Sequence, residues 1–86
     1  MTELTHREKQ WVKRVQKALD SCPSKEKFGF FTIGDCEVFI YDFRKHDEVM
    51  AIMDKECVDM DSCVYRANAR IEESIYFPNP VESVSG

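Results

Sequence analysis

The segment Phe28-Gly-Phe-Phe-Thr-Ile-Gly-Asp-Cys-Glu-Val-Phe-Ile-Tyr-Asp-Phe43 decides the fold of this chain. It places five phenylalanines and one tyrosine in two β-prone runs that are separated only by Gly34-Asp35. A two-residue break with glycine first is typical of a β-hairpin closed by a type II′ turn. We therefore expect antiparallel strands at about residues 28–33 and 36–43.

A two-residue turn also predicts the register of the hairpin. One face would hold the pairs Ile33–Cys36, Phe31–Val38 and Gly29–Ile40, and the other Thr32–Glu37, Phe30–Phe39 and Phe28–Tyr41. Both faces are then apolar away from the turn, whereas a half-solvated strand is polar on one side. Either helices cover both faces and the aromatic side chains are core, or Phe28, Phe30, Phe39 and Tyr41 form an exposed patch that binds a partner.

The hairpin is preceded by an amphipathic helix, which we expect at about residues 5–21. Thr5 and Glu8 have the spacing of a capping box, in which each side chain accepts from the other residue's backbone N–H. Pro23 disfavours helical geometry in the residue before it and so ends the helix. Apolar residues recur at helical spacing along one side, and we expect them to pack on the hairpin; they are Trp11, Val12, Val15, Ala18, Leu19 and Cys22.

The second half of the chain is less sharply patterned. Asp47 could cap a second helix that runs to about Glu56. Residues 62–71 alternate as a strand would, although a helix also fits them; we favour a third strand, because two strands alone make a marginal sheet. Residues 75–77 add a short strand or pack down. The predicted fold is α+β, with two helices on an antiparallel sheet and the element order α-β-β-α-β. We expect one domain at residues 1–80 and a flexible tail at residues 81–86.

Charge is distributed unevenly along the chain. Residues 1–27 hold seven Lys/Arg against four Asp/Glu, whereas residues 28–86 hold five against twelve. The acidic body repels phosphate, which argues against general nucleic-acid binding. No apolar run is long enough to span a bilayer, and the charged start does not resemble a signal peptide, so we expect a cytoplasmic protein with reduced thiols.

Four cysteines raise the alternatives of a zinc or a thiol protein. Their positions, 22, 36, 57 and 63, form no Cys-x-x-Cys pair, and His6 and His46 form no His-x-x-x-His partner. No glycine-rich elbow flanks any of them to activate a nucleophile. We expect reduced, metal-free cysteines, and we expect His46 to be a solvated residue just before the second helix.

Carboxylates cluster around the end of the second helix, at Asp54, Glu56, Asp59 and Asp61. A calcium loop would need a central glycine, and apolar residues interleave here instead. We interpret the cluster as a solvated acidic edge that could form an electrostatic rim around the aromatic patch.

The first helix carries a basic stripe that supports an alternative function. Its five cations could neutralise phosphates while aromatic residues of the sheet stack bases; they are Arg7, Lys9, Lys13, Arg14 and Lys17. Against this, no Lys or Arg lies within residues 28–43, where a base-stacking sheet would need them.

The runs Thr5-His-Arg-Glu-Lys-Gln-Trp11, Leu19-Asp-Ser-Cys-Pro23 and Phe31-Thr-Ile-Gly-Asp35 resemble small accessory proteins of enteric phages and prophages, over about the first 45 residues. The resemblance implies no activity, cofactor or site residue. It implies a small cytosolic protein that binds a host or phage component. The sequence thus predicts a non-enzymatic interaction protein without cofactor or metal, which binds a protein partner or itself through Phe28, Phe30, Phe39 and Tyr41.

Overall fold

A computed structural model describes residues 1–82 of the chain. The elements are α1 (His6–Asp20), β1 (Phe28–Thr32), β2 (Glu37–Asp42), a 3-10 turn (Phe43–Lys45), α2 (His46–Glu56), α3 (Met60–Arg66) and β3 (Arg70–Tyr76). The α+β class, the antiparallel sheet and the order α-β-β-α-β are confirmed, with one further short helix, α3, between α2 and β3. Most of the predicted tail, residues 83–86, lies outside the described residues.

Helix α1 begins where the capping box predicts. The Thr5 backbone N–H donates to Glu8 Oε1 at 2.7 Å, and the Glu8 N–H donates to Thr5 Oγ1 at 3.2 Å. Two of the otherwise free N–H groups at the start of the helix are thereby satisfied. The helix ends at Asp20, three residues before Pro23, close to the predicted boundary.

The sheet has the order β1-β2-β3, and both neighbouring pairs are antiparallel. In the first pair Phe31 lies opposite Phe39, and Gly29 lies opposite Tyr41. The predicted register, with Ile33 opposite Cys36 and Phe30 opposite Phe39, is wrong by one residue. Such a slip turns one strand over relative to the other, because successive side chains alternate between faces.

The slip arises in the turn, which spans residues 33–36 between the strand ends rather than two residues. Gly34 does adopt a positive φ, 85°, but Thr32 Oγ1 accepts from its N–H, and the Asp35 carboxylate accepts from the Cys36 N–H. The Cys36 and Asp35 carbonyls accept from Phe77 and Val81, beyond β3. These bonds draw the turn towards the end of the chain, and the strand pairing is shifted by one residue.

The core lies on one side of the sheet, under α2 and α3. Its buried side chains come from β2, α2, α3 and the loop that joins α3 to β3; they are Tyr41, Val49, Cys63, Val64, Ala67 and Ala69. Phe31 packs against this cluster, with its ring 5.9 Å from that of Tyr41. Gly29 is required here, because a Cβ at this position would lie 2.5 Å from Tyr41 Cε1.

Helix α3 corrects the prediction of a strand over residues 62–71. Asp59 caps it by accepting from the Ser62 N–H at 3.0 Å, and Cys63, Val64 and Ala67 face the core. Asn68, with φ of 56°, then ends the helix in the left-handed conformation that asparagine tolerates. The third strand exists but begins at Arg70, and it includes residues 75 and 76.

The start of α2 differs from the prediction in two details. The helix begins at His46, so Asp47 lies in its first turn and does not cap it. His46 is half-buried rather than solvated, because its Nδ1 lies 2.8 Å from the Tyr41 hydroxyl.

Candidate functional site

Helix α1 does not belong to the core. Every one of its residues is exposed, and the substantial packing contacts within residues 1–82 join the strands, the 3-10 turn, α2 and α3 but not α1. Its apolar side, which we name the α1 stripe, comprises Trp11, Val12, Val15 and Leu19. The largest of these side chains, Trp11, is 52% exposed. The expectation that this side packs on the hairpin is therefore wrong.

The connection between α1 and β1 is ordered by hydrogen bonds. The Cys22 N–H donates to the Leu19 carbonyl at 3.1 Å, and the Phe28 N–H donates to the Ser24 carbonyl at 3.0 Å. The Lys27 carbonyl in turn accepts from the Phe43 N–H, which joins the connection to the end of β2. Backbone bonds thus hold the connection on both sides of Pro23.

The second apolar surface is the side of the sheet that faces away from α2 and α3. We name it the uncovered sheet face. Its members follow from the alternation of side chains along each strand and from the pairs Phe30–Ile40 and Val38–Ile75. The apolar ones are Phe28, Phe30, Val38, Ile40 and Ile75. Phe30 is 47% exposed and Ile75 39% exposed. Antiparallel sheets can leave one face to solvent, but that face is normally polar.

The register separates the four residues of the predicted aromatic patch into two pairs. Phe28 and Phe30 lie on the uncovered sheet face, whereas Phe39 and Tyr41 lie on the core side. Tyr41 is only 3% exposed, and Phe39 stacks on Phe31 with ring centroids 5.2 Å apart. A single patch formed by all four residues is therefore excluded: Phe39 and Tyr41 belong to the core side, and Phe28 and Phe30 belong to the uncovered sheet face.

Tyr41 is tied into the core by its polar end as well. Its hydroxyl shares a hydrogen bond with His46 Nδ1, and the His46 ring lies 4.8 Å from that of Phe43. Burial raises the pKa of Tyr41. A neutral phenol held in an aromatic cluster is a structural group, so we assign this Tyr–His pair to stability.

The predicted acidic rim has two members with structural roles. Glu56 Oε1 lies 2.8 Å from Arg66 Nη1, and Asp59 caps α3. The hydrogen bond from Ser62 lowers the pKa of Asp59. Asp54 and Asp61 are exposed on the same side of the molecule as the helices, so this edge does not border the uncovered sheet face.

A cleft of about 260 Å³ opens between α3 and the core side of the sheet. Phe31, Phe39 and Val64 line it, together with the carboxylates of Glu37 and Asp61. Glu37 is already engaged, because it accepts a hydrogen bond from the Ser74 hydroxyl. The cleft is smaller than most ligand pockets, which start at about 300 Å³.

The cysteines are free thiols in four separate settings. Cys63 is buried, Cys22 and Cys36 are half-buried, and Cys57 is exposed. Removal from water raises the pKa of the Cys63 thiol, and Asp59 nearby adds to the effect. Within residues 1–82 no three His, Cys, Asp or Glu side chains converge as metal ligands would.

The five basic residues of the alternative site are all exposed on α1, around its polar side. They lie on a helix that has no buried residue, so none of them is packed into the core. No helix in the part of the chain that the structure describes is long and apolar enough to cross a membrane.

No known protein family, curated protein or solved structure matches this chain. The resemblance to phage accessory proteins stays a prediction. The sequence prediction assigned the α1 stripe to the core and so missed it as an exposed surface. An amphipathic pattern shows that one side of a helix prefers to be buried, but it does not show what contacts that side.

Proposed function

We propose that this chain is a small, non-catalytic protein-interaction module that binds through the α1 stripe and the uncovered sheet face. The observation that carries the proposal is an amphipathic helix with all of its residues exposed. An isolated helix of 15 residues is marginal in water, and its apolar side gains stability mainly when it is buried. A second apolar surface on the sheet adds to the area that a partner would cover.

The magnitude of the exposed surface supports this function. The chain exposes 7188 Å², whereas a compact monomer of the same mass exposes about 5,300 Å². Its Cα radius of gyration is 15.4 Å, against about 12 Å for a compact chain of this length. The exposed helix α1 contributes to this excess together with the exposed residues that precede it and follow β3, and a standard interface buries roughly 800 Å² on each partner.

The experiment compares two variants of α1 in a pull-down from a cell lysate. Val15→Asp puts a charge in the α1 stripe, and Gln10→Asp puts the same charge on the polar side, about 140° away around the helix. We expect Val15→Asp to lose the proteins that wild type retains, this chain included, and Gln10→Asp to keep them. Equal retention by both variants would refute a binding role for the stripe.

The alternative is a nucleic-acid binder that uses Arg7, Lys9, Lys13, Arg14 and Lys17. The exposure of all five cations on a helix that stands clear of the acidic body favours it. Phosphate binding would fall steeply with salt, and Lys13→Glu with Lys17→Glu would abolish it. We expect no affinity tighter than about 10 µM at physiological salt, and a clear gel shift under those conditions would make this alternative the better account.

The phage-type context is part of the same proposal. A protein of this kind acts in the cytoplasm by occupying a surface of a host or phage protein, or of itself, without turnover of a substrate. The exposure of the α1 stripe and of Phe30 supports a role in binding.

A further inference from the structure

The chain carries two uncovered apolar surfaces, and we infer that each covers the other in a second copy: α1 of one copy lies on the uncovered sheet face of its partner, and reciprocally. This inference rests on the proposed function and names the occupant of both surfaces. A reciprocal exchange closes with two-fold symmetry, so no binding surface remains free to extend a chain of copies.

The two surfaces match in size. Helix α1, with 15 residues, is about 22 Å long and about 10–12 Å wide with its side chains. The strands, of 5 to 7 residues, run for about 17–23 Å, and three neighbouring strands span two spacings of about 4.8 Å. One helix therefore covers the uncovered sheet face, with the α1 stripe against Phe30, Val38 and Ile75.

Charge selects this arrangement over a pairing of the two α1 helices. Helix α1 carries five Lys/Arg and two Asp/Glu, so two copies of it repel each other. Residues 28–86 carry five Lys/Arg against twelve Asp/Glu, so the body as a whole attracts the helix, and this attraction is long-range because the acidic edge at Asp54, Glu56, Asp59 and Asp61 lies on the other side of the sheet. Lys27 works against that attraction at one position, since its ammonium lies 5.9 Å from the Phe28 ring centroid.

The ordered connection explains why the surfaces meet between copies and not within one chain. With the connection held by the bonds from Cys22 to Leu19 and from Phe28 to Ser24, every residue of α1 stays exposed and its own sheet face stays uncovered. Docking onto a second copy keeps these bonds. Exchange of an identical element between protomers is a low-cost route to a dimer.

The first experiment follows the mass and the tryptophan of the purified protein together. Trp11 is the single tryptophan, so its emission reports the α1 stripe alone. Between about 0.1 and 100 µM, where a micromolar interface becomes populated, we expect the light-scattering mass to double. Over the same range Trp11 emission should move to shorter wavelength and become protected from acrylamide. A monomer with exposed Trp11 at 100 µM would overturn the inference.

The second experiment mixes two variants that are each defective in one surface. Val15→Asp damages the helix and Phe30→Asp damages the sheet face, and we expect either change to weaken each of the two helix-on-sheet contacts about 30-fold, as for a hot-spot residue. Mixed in equal amounts, they should form a heterodimer, because one intact helix-on-sheet contact is restored. Ile75→Thr, a β-compatible change, replaces Phe30→Asp if the latter unfolds the domain.

Other outcomes of the mixture distinguish the competing arrangements. In one such outcome, self-association survives Phe30→Asp and Ile75→Thr but is lost in Val15→Asp. If it also strengthens between 50 and 500 mM NaCl, because salt screens the repulsion between helices, the copies pair through α1 and the exchange is refuted. A pure monomer whose α1 stripe still captures a different protein from lysate would refute the exchange and leave the proposed function standing. If the protein stays monomeric and its α1 stripe captures no other protein, both the exchange and the proposed function are refuted.

Discussion

Replacement of Gly29 by alanine tests the observed register, on which the existence of the uncovered sheet face depends. In that register the Tyr41 ring covers Gly29, and an added Cβ would lie 2.5 and 2.6 Å from Tyr41 Cε1 and Cζ and 2.8 Å from Phe43 Cδ1. Tyr41 cannot move away freely, because it is buried and its hydroxyl is bonded to His46.

Two opposing terms decide the size of the effect. Alanine restricts the unfolded chain and is favoured over glycine in a strand by about 0.5–1 kcal/mol. Overpacking of a core of this kind costs about 1–3 kcal/mol, and contacts this short place Gly29→Ala near the upper end. We expect a net loss of about 2 kcal/mol, which lowers Tm by about 10 °C for a domain of this size.

The assay is a thermal melt at a concentration low enough to keep the protein monomeric. A double-mutant cycle with Tyr41→Leu supplies the control, because leucine lacks the ring atoms that the new Cβ meets. In that background the cost of Gly29→Ala should fall by about 1 kcal/mol. If Gly29→Ala is neutral or stabilising, Tyr41 does not lie over Gly29, and the assignment of Phe28 and Phe30 to the opposite face is wrong.

Three further predictions concern single side chains. Cys57, which ends α2 with φ of 53°, should raise the free energy of unfolding by about 1 kcal/mol when replaced by glycine, as measured by urea denaturation. The side-chain hydrogen bond from Arg44 lowers the pKa of Asp42 to about 2, whereas the pKa of an aspartate in the unfolded chain is near 4. The ionised Asp42 therefore stabilises the fold above pH 4, and this stability is lost as the pH falls towards 2. Asp42→Asn should flatten the pH dependence of Tm in that window. In thiol titration with a disulfide reagent Cys57 should react first and Cys63 last, because burial shields Cys63 and raises its pKa; a fast Cys63 would contradict its place in the core.

Local signals carried the parts of the fold that were predicted correctly. The capping box of Thr5 with Glu8 and the helical period of α1 involve residues within a few positions of each other, so the sequence displays them directly. The hairpin was equally visible in its β-prone runs. Its register was not, because the turn is lengthened by bonds from Phe77 and Val81, which follow β3.

The other errors have similar physical causes. Residues 63–69 alternate in polarity as a strand would, and the Asp59 cap with the left-handed Asn68 decides in favour of a helix. The amphipathic pattern of α1 shows that one side prefers to be buried, but it does not specify the surface that buries it. The candidate site is therefore defined by the packing of residues 1–82 and not by the sequence pattern of α1 alone.

The ordered connection between α1 and β1 makes oligomeric state a property of linker length. Docking within one chain competes with docking between chains through an effective concentration, which for a short flexible tether reaches the millimolar range. The bonds on both sides of Pro23 reduce that advantage by limiting the flexibility of the connection. A few glycine and serine residues inserted between Ser24 and Lys27 would restore it at little entropic cost. The same helix and the same sheet would then close into a monomer, without any change in the surfaces that meet.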